Sequence, residues 1–116
     1  MPMEHVTLVF QIGRLTVDLD AHSARVGNQI LHLTRKEFAV LELLILHKGT
    51  AVTKDMFLEH LYTGVVHEPE SKIIDVFVCK LRKKITEVTD GDHYITTVWG
   101  RGYILLGDDV VGLDAE

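Results

Sequence analysis

The chain has one cysteine, Cys79, and only two serines, Ser23 and Ser71. A single cysteine excludes an intramolecular disulfide and points to a reducing, intracellular compartment. Neither serine has a nucleophile-like context. The seven histidines are scattered, with no HExxH or Cys-His spacing, so no catalytic residue, metal ligand or cofactor site is expected. No apolar run approaches the ~20 residues of a membrane span. Met1-Pro2-Met3-Glu4 lacks the basic-then-apolar pattern of a signal peptide. Repeats, low-complexity segments and Ser/Gly/Pro-rich linkers are absent too. What remains is 116 residues, 47% apolar and 25% charged, the composition of one globular domain with one core.

Positive charge is in deficit, with a formal net charge of −5, which at first argues against a nucleic-acid partner. Its distribution argues the other way. Asp108, Asp109, Asp114 and Glu116 crowd the last nine residues; without them, 12 basic residues face 13 acidic ones. Residues 107–116 are accordingly expected to form an acidic, disordered tail after a domain spanning residues 1–106. Lys72, Lys80, Arg82, Lys83, Lys84 and Arg101 lie within one 30-residue stretch. Local clustering governs phosphate attraction more than the global sum does, although a solvated helix face explains such a run equally well on charge alone.

The first third reads as strands. Leu8, Phe10 and Ile12 alternate with more polar neighbours, and Leu15, Val17 and Leu19 do the same beyond a Gly13-Arg14 turn. Two shorter strands, Ala24 to Val26 and Gln29 to Leu33, flank a Gly27-Asn28 hairpin loop. A four-stranded antiparallel sheet is expected. The period then changes. Thr34 to Glu37 is a capping box opening a helix that is apolar on nearly every side as far as Leu46. After a short extended Ala51-Val52 segment, Thr53 caps a second helix, Lys54 to Leu61, with Phe57, Leu58 and Leu61 inward. A loop covers Tyr62 to Glu70, and Pro69 suits the first turn of a third helix running to about Glu87. A turn at Thr89 to Asp92 leads into two strands, Tyr94 to Val98 and Gly102 to Leu106, joined by Trp99-Gly100-Arg101.

The third helix has two faces. At ~100° per residue, Ile74, Phe77, Val78, Leu81 and Ile85 share one side; Lys72, Val76, Cys79, Lys80 and Lys83 share the other. A helix anchored on one side and cationic on the other suits a negative partner, with duplex DNA leading. Two helices followed by a hairpin form a winged helix-turn-helix, an α+β fold in which the second helix of the pair lies in the major groove.

The pattern Ile74-Asp75-Val76-x-Val78-x-Lys80-Leu81-Arg82-Lys83-Lys84-Ile85, then Ile95-x-Thr97-Val98-x-Gly100-x-Gly102-Tyr103, closely resembles the OmpR/PhoB-type effector domain of bacterial response regulators. Leu33-Thr34-x-x-Glu37-Phe38-x-x-Leu41 resembles the same family's first helix. The likeness spans about residues 6 to 106. Lys54 to Tyr62 and the Trp99 to Tyr103 wing narrow it to cell-cycle regulators within that family. The resemblance implies a cytoplasmic, nucleoid-associated, non-enzymatic regulator of transcription acting in a two-component phosphorelay. It also implies binding to double-stranded DNA as two copies on tandem half-sites, with residues 63–70 touching RNA polymerase holoenzyme. The phosphorylatable receiver domain usual in the family is not expected within this length.

By motif position the resemblance makes Lys72, Asp75, Val76, Cys79, Lys80 and Arg82 groove-facing or phosphate-contacting. Lys80 is the first choice for a base contact, able to donate to guanine O6/N7 or thymine O4. Val76 is placed to touch a thymine methyl, and Lys83 fits a phosphate. Asp75 either accepts from a cytosine amino group or orients a neighbouring lysine or arginine; the second is preferred. Cys79 stands where many relatives have a basic residue and is read as a small residue permitting close approach. Phe77, often histidine in relatives, is read as core. In the wing, Arg101 takes the minor-groove role, since a narrow A·T-rich groove attracts arginine. Trp99 either contacts the backbone through its indole N–H or packs on the helix. Thr97 and Tyr103 are further phosphate candidates, Tyr103 equally a core strand residue. Lys54, with the Thr53 to Asp55 amides, and Tyr62 complete the backbone contacts. The rival reading is a winged-helix protein-interaction module, which the cations Lys72, Lys80 and Lys83 disfavour.

Overall fold

The structure is a computed structural model that describes residues 8–65, 67, 69–91 and 93–106; the acidic segment 107–116 lies outside the described residues. Four strands, β1 (Val9–Ile12), β2 (Leu15–Asp18), β3 (Ser23–Val26) and β4 (Gln29–Ile30), pair antiparallel in sequence order. Two-residue loops join β1 to β2 and β3 to β4, as shown by the pairs Ile12–Leu15 and Val26–Gln29. Alternation follows the pleat: Ile12, Leu15, Val17 and Ala24 are buried, while Val9, Gln11, Ser23 and Arg25 face solvent. β4 ends at Ile30 rather than Leu33. After the Leu31 amide bonds the Ala24 carbonyl at 2.8 Å, the chain leaves the sheet for the next helix.

That helix, α1 (Arg35–Leu46), starts with the expected capping box. Thr34 Oγ1 accepts from the Glu37 amide at 3.2 Å, and Glu37 Oε1 accepts from the Thr34 amide at 3.0 Å. Phe38, Val40, Leu41, Leu43, Leu44 and Ile45 are buried, so α1 is enclosed by the other elements on nearly every side. Next, α2 (Lys54–Leu61) is capped by Thr53 Oγ1, which accepts from the Met56 amide at 3.1 Å. Phe57 and Leu58 are buried, and Leu61 packs half-buried against the core.

The third helix, α3, spans Lys72–Thr89 and differs from expectation at both ends. Pro69 lies ahead of the helix, not in its first turn. The Glu70 and Ser71 carbonyls accept from the Ile73 and Ile74 amides in a lead-in turn, and the Ser71 side chain makes no cap bond. At the other end the helix continues past Glu87 to Thr89, whose side chain is fully buried and donates to the Ile85 carbonyl at 2.7 Å. The Arg14 guanidinium hydrogen-bonds the Thr89 carbonyl, satisfying an acceptor that a helix end otherwise leaves unpaired. Asp90, left-handed at φ 63°, then stops the helix.

The chain closes with a hairpin of β5 (Ile95–Val98) and β6 (Gly102–Leu105). It docks on the segment before α2 through a two-bond bridge. The Val52 amide donates to the Tyr103 carbonyl at 2.7 Å, and the Tyr103 amide to the Val52 carbonyl at 3.0 Å. One core joins both sheets and all three helices. From α3 it takes Ile74, Val78, Leu81 and Ile85, each such side chain contributing ~1.5–3 kcal/mol on burial. That anchoring commits the rest of the helix to solvent.

A buried carboxylate ties α3 to α1. Glu37 is 2% exposed, and Lys84 Nζ donates to its Oε1 at 2.6 Å and to the His32 carbonyl at 2.9 Å. Burial pushes the Glu37 carboxyl up, but the Lys84 hydrogen bond and the Thr34 amide together hold it below its ordinary 4.5. Its contribution to stability is therefore full above pH 4.5 and is lost as pH falls through the lower folded-state value. Glu37→Gln should cost about 1–3 kcal/mol at neutral pH and flatten this part of the acid limb, read from urea midpoints across pH 3–7.

Gly102 supports a second prediction. At φ +135°, a Cβ there would stand 2.0 Å from the Val52 carbonyl oxygen, whereas at Gly100, φ +80°, nothing lies within 4 Å. Gly102→Ala should cost roughly 2–4 kcal/mol, and Gly100→Ala only about 1–2 kcal/mol from backbone strain alone. Equal urea midpoints for the two variants would show that the wing does not dock this closely.

Candidate nucleic-acid interface

The two faces of α3 are as the periodicity placed them. Lys72, Val76, Cys79, Lys80 and Lys83 are exposed, opposite the buried row, and Phe77 is half-buried against the core. Val76, 43% exposed, is an apolar side chain among cations. Such a surface offers donors with a methyl-sized apolar contact between them, the chemistry of a major-groove edge.

The wing tip stands across a cleft from Asp75 and Arg82 of the same helix. The Arg101 amide donates to the Val98 carbonyl at 2.8 Å, closing the turn. Trp99 is 88% exposed, so it does not pack on the helix, and Arg101 is exposed next to it. Between the tip, the N-terminus of α2 and the first turns of α3 lies an open cleft of about 1040 Å³, bordered by Thr53, Lys54, Asp75, Arg82, Trp99 and Arg101 among others. Phe57 and the Tyr103 ring meet edge to face behind it, with centroids 6.4 Å apart.

A hydrogen-bond network forms the floor of the cleft. Asp75 Oδ1 accepts from the Tyr103 hydroxyl at 2.5 Å, and Asp75 Oδ2 from Lys54 Nζ at 3.0 Å. The Tyr103 hydrogen bond, joined by the Lys54 ammonium, outweighs burial and holds the Asp75 carboxyl below its usual 3.8. Burial, then the bond to Asp75, pushes the Tyr103 phenol up to about 12. Tyr103 is 7% exposed and donates its one hydroxyl hydrogen bond to Asp75, so in the free domain it is a core strand residue with no hydroxyl donor left for a phosphate. Arg82 donates from Nε and Nη2 to the Ile95 carbonyl, and from Nη2 to Thr97 Oγ1 at 2.8 Å. Its guanidinium carbon lies 5.3 Å from the Tyr103 ring centre. Arg82 and Thr97 therefore bind the wing to α3.

Lys54, Asp75, Arg82, Thr97, Trp99, Arg101 and Tyr103 thus converge on one cleft, with the exposed face of α3 beside it. Tyr62 does not line the cleft. It closes the far end of α2, with Lys36 Nζ 4.1 Å above its ring and bonded to the Leu61 carbonyl at 3.0 Å. The local pattern gave no sign of Lys36 as a partner of Tyr62. Lys84, counted in the basic cluster, points away to Glu37. Among the described residues no group of three or more His, Cys, Asp or Glu side chains could hold a metal ion, and no helix is long and apolar enough to cross a membrane.

A sheet, three helices and a docked hairpin with its tip beside a cationic helix define a winged helix-turn-helix module. The chain belongs to the family described as "Transcriptional regulatory protein, C terminal", whose model matches residues 27–105. It is 56% identical over 105 residues to the cell cycle response regulator CtrA of Brucella ovis, covering 90% of this chain and 45% of that protein. The chain thus spans less than half the length of the curated relatives it matches. Among solved structures it resembles the Klebsiella pneumoniae RstA DNA-binding domain in complex with the RstA box (TM-score 0.71, 28% identity, 84% of this chain and 96% of that one). It also resembles the Thermotoga maritima OmpR/PhoB homolog DrrB (TM-score 0.74, 27% identity, 85% and 44%).

Proposed function

We propose that this chain is the DNA-binding output module of a response regulator of transcription, with α3 in the major groove and the β5–β6 wing in the adjacent minor groove. One observation carries the reading: in an otherwise acidic protein, Lys54, Arg82 and the wing-tip Arg101 border one open cleft, and the α3 helix that supplies Arg82 also exposes Lys72, Lys80 and Lys83. The likeness to CtrA and to the RstA domain held in complex with the RstA box supports it. Lys80 donates to a base edge, and Val76 and Cys79 permit close approach and methyl contact. Lys72, Lys83 and Lys54 serve the sugar-phosphate backbone, Arg82 and Thr97 hold the wing against α3 for it, and Trp99, free of the helix, lies along it beside Arg101; Tyr62, away from the cleft, is left out of the contact set.

The finer assignment follows the same likeness. The module acts in cell-cycle control through a two-component phosphorelay in the bacterial cytoplasm, on tandem half-sites occupied by two copies. Thr63, Gly64, Val65 and His67 are exposed in the loop before α3, and that loop meets RNA polymerase.

A salt titration on duplex DNA tests the core of the proposal. With four exposed cations presented, log K should fall against log salt with a slope of about −2 to −4. No salt-dependent binding to any duplex would overturn it in favour of a protein-interaction module. Selection from random duplexes then resolves the contacts. Lys80→Ala should cost ~1–3 kcal/mol and relax preference at one base position, whereas Arg101→Ala should weaken sites with A·T flanks selectively. Equal loss on selected and random DNA would reassign Lys80 to a phosphate, and indifference to flank composition would remove Arg101 from the minor groove.

A further inference from the structure

Asp75 is an anomaly on a surface built to meet phosphates. It projects a carboxylate, 40% exposed, into the cleft that the duplex backbone would occupy. An ionised carboxylate only accepts hydrogen bonds, and both oxygens are already engaged by donors of this chain, the Tyr103 hydroxyl on one and the Lys54 ammonium on the other. The three residues come from three elements, α2, α3 and β6. A cytosine amino group would have to share an oxygen with one of these donors.

We propose that Asp75 is a positioning residue and reads no base: it fixes Lys54 and Tyr103, and with them α2 and the wing, against α3, and its charge cancels that of Lys54. The inference rests on the DNA-binding reading above. Lys54 keeps two of its three ammonium donors for a phosphate, yet the pair as a unit adds no net charge at the interface. The module therefore gains a directed hydrogen bond to the backbone without raising its attraction to arbitrary duplex, which favours specific over non-specific binding.

Charge cancellation separates this role from a merely structural one, because salt dependence counts neutralised phosphates at ~0.9 per contact. In Asp75→Asn, Lys54 is no longer neutralised, and the slope should steepen by about 0.9. In Lys54→Met the uncovered carboxylate repels phosphates, and the slope should become shallower by a similar amount. The double variant Lys54→Met/Asp75→Asn should return the slope to that of the unsubstituted domain, although affinity stays below it. Random-duplex selection with Asp75→Asn should recover the same sequence preference at every position. Loss of preference at one cytosine-bearing position would overturn the proposal, identifying Asp75 as a base reader. So would unchanged slopes in both single variants with reduced affinity, which mark an architectural contact alone. Thermal melts confirm that each variant is folded; if Asp75→Asn does not fold, Asp75→Ser replaces it in both the single and the double variant. If the unsubstituted domain shows no salt-dependent binding, the DNA-binding reading fails as well. A normal slope there with unresponsive variants overturns this inference alone.

Discussion

The bridge between Val52 and Tyr103 is the contact on which the rest of the interface depends. A two-stranded hairpin alone is marginal in water, and β6 is held to the segment before α2 by the two Val52–Tyr103 bonds and by the Gly49 amide, which donates to the Leu105 carbonyl at 3.1 Å. The close approach at Gly102 makes that docking possible, since a side chain there would collide with the Val52 carbonyl. Once β6 is docked, Tyr103 stands against α3. Its hydroxyl meets Asp75, and Arg82 lies over its ring while bonding the opposite strand. The wing therefore inherits the orientation of the core helix, and its tip is set relative to the cationic face before any duplex arrives.

Charge is apportioned by the same packing. The basic residues of α3 do not act as one block. Lys84 is drawn back to the buried Glu37, and Arg82 is committed to the wing. Lys54 on α2 is paired to Asp75. Lys72, Lys80, Lys83 and the wing's Arg101 remain exposed. A global charge of −5 leaves such a face effective, because at ~0.15 M salt interactions are screened beyond ~8 Å.

The fold was legible in the sequence wherever it rests on local chemistry. The Thr34–Glu37 box, the Thr53 cap and the two-residue loops each encode their own geometry within four residues. The two-sided pattern of α3 also held, because burial follows the helical period. Misplaced boundaries trace to distant partners. The start of α3 is a turn without a side-chain cap, which Pro69 obscured. Its extension to Thr89 is completed by Arg14, 75 residues away. At the site, residue types and faces could be read, but pairings could not. Nothing near Lys84 in sequence announces Glu37, 47 residues off, and nothing near Asp75 announces the Tyr103 hydroxyl. Trp99 was open between a contact to the DNA backbone and packing on the helix, and its 88% exposure removes the second.

A domain that must find one site among many non-specific ones gains little from every additional unpaired cation. Each tightens binding to all duplexes alike, since phosphates carry no sequence information. Discrimination rises when contacts demand geometry as well as charge. In the role proposed above, a lysine held by a carboxylate meets that condition: Lys54 is bonded to Asp75 at 3.0 Å, and its remaining donors would satisfy a phosphate only at the right register. The same carboxylate also accepts a hydrogen bond from the buried Tyr103 hydroxyl, a donor that would be costly to leave unpaired. Stability of the wing and restraint of the electrostatic face are thus two consequences of one side chain. On the proposed reading, that is a physical reason for an acidic residue on α3.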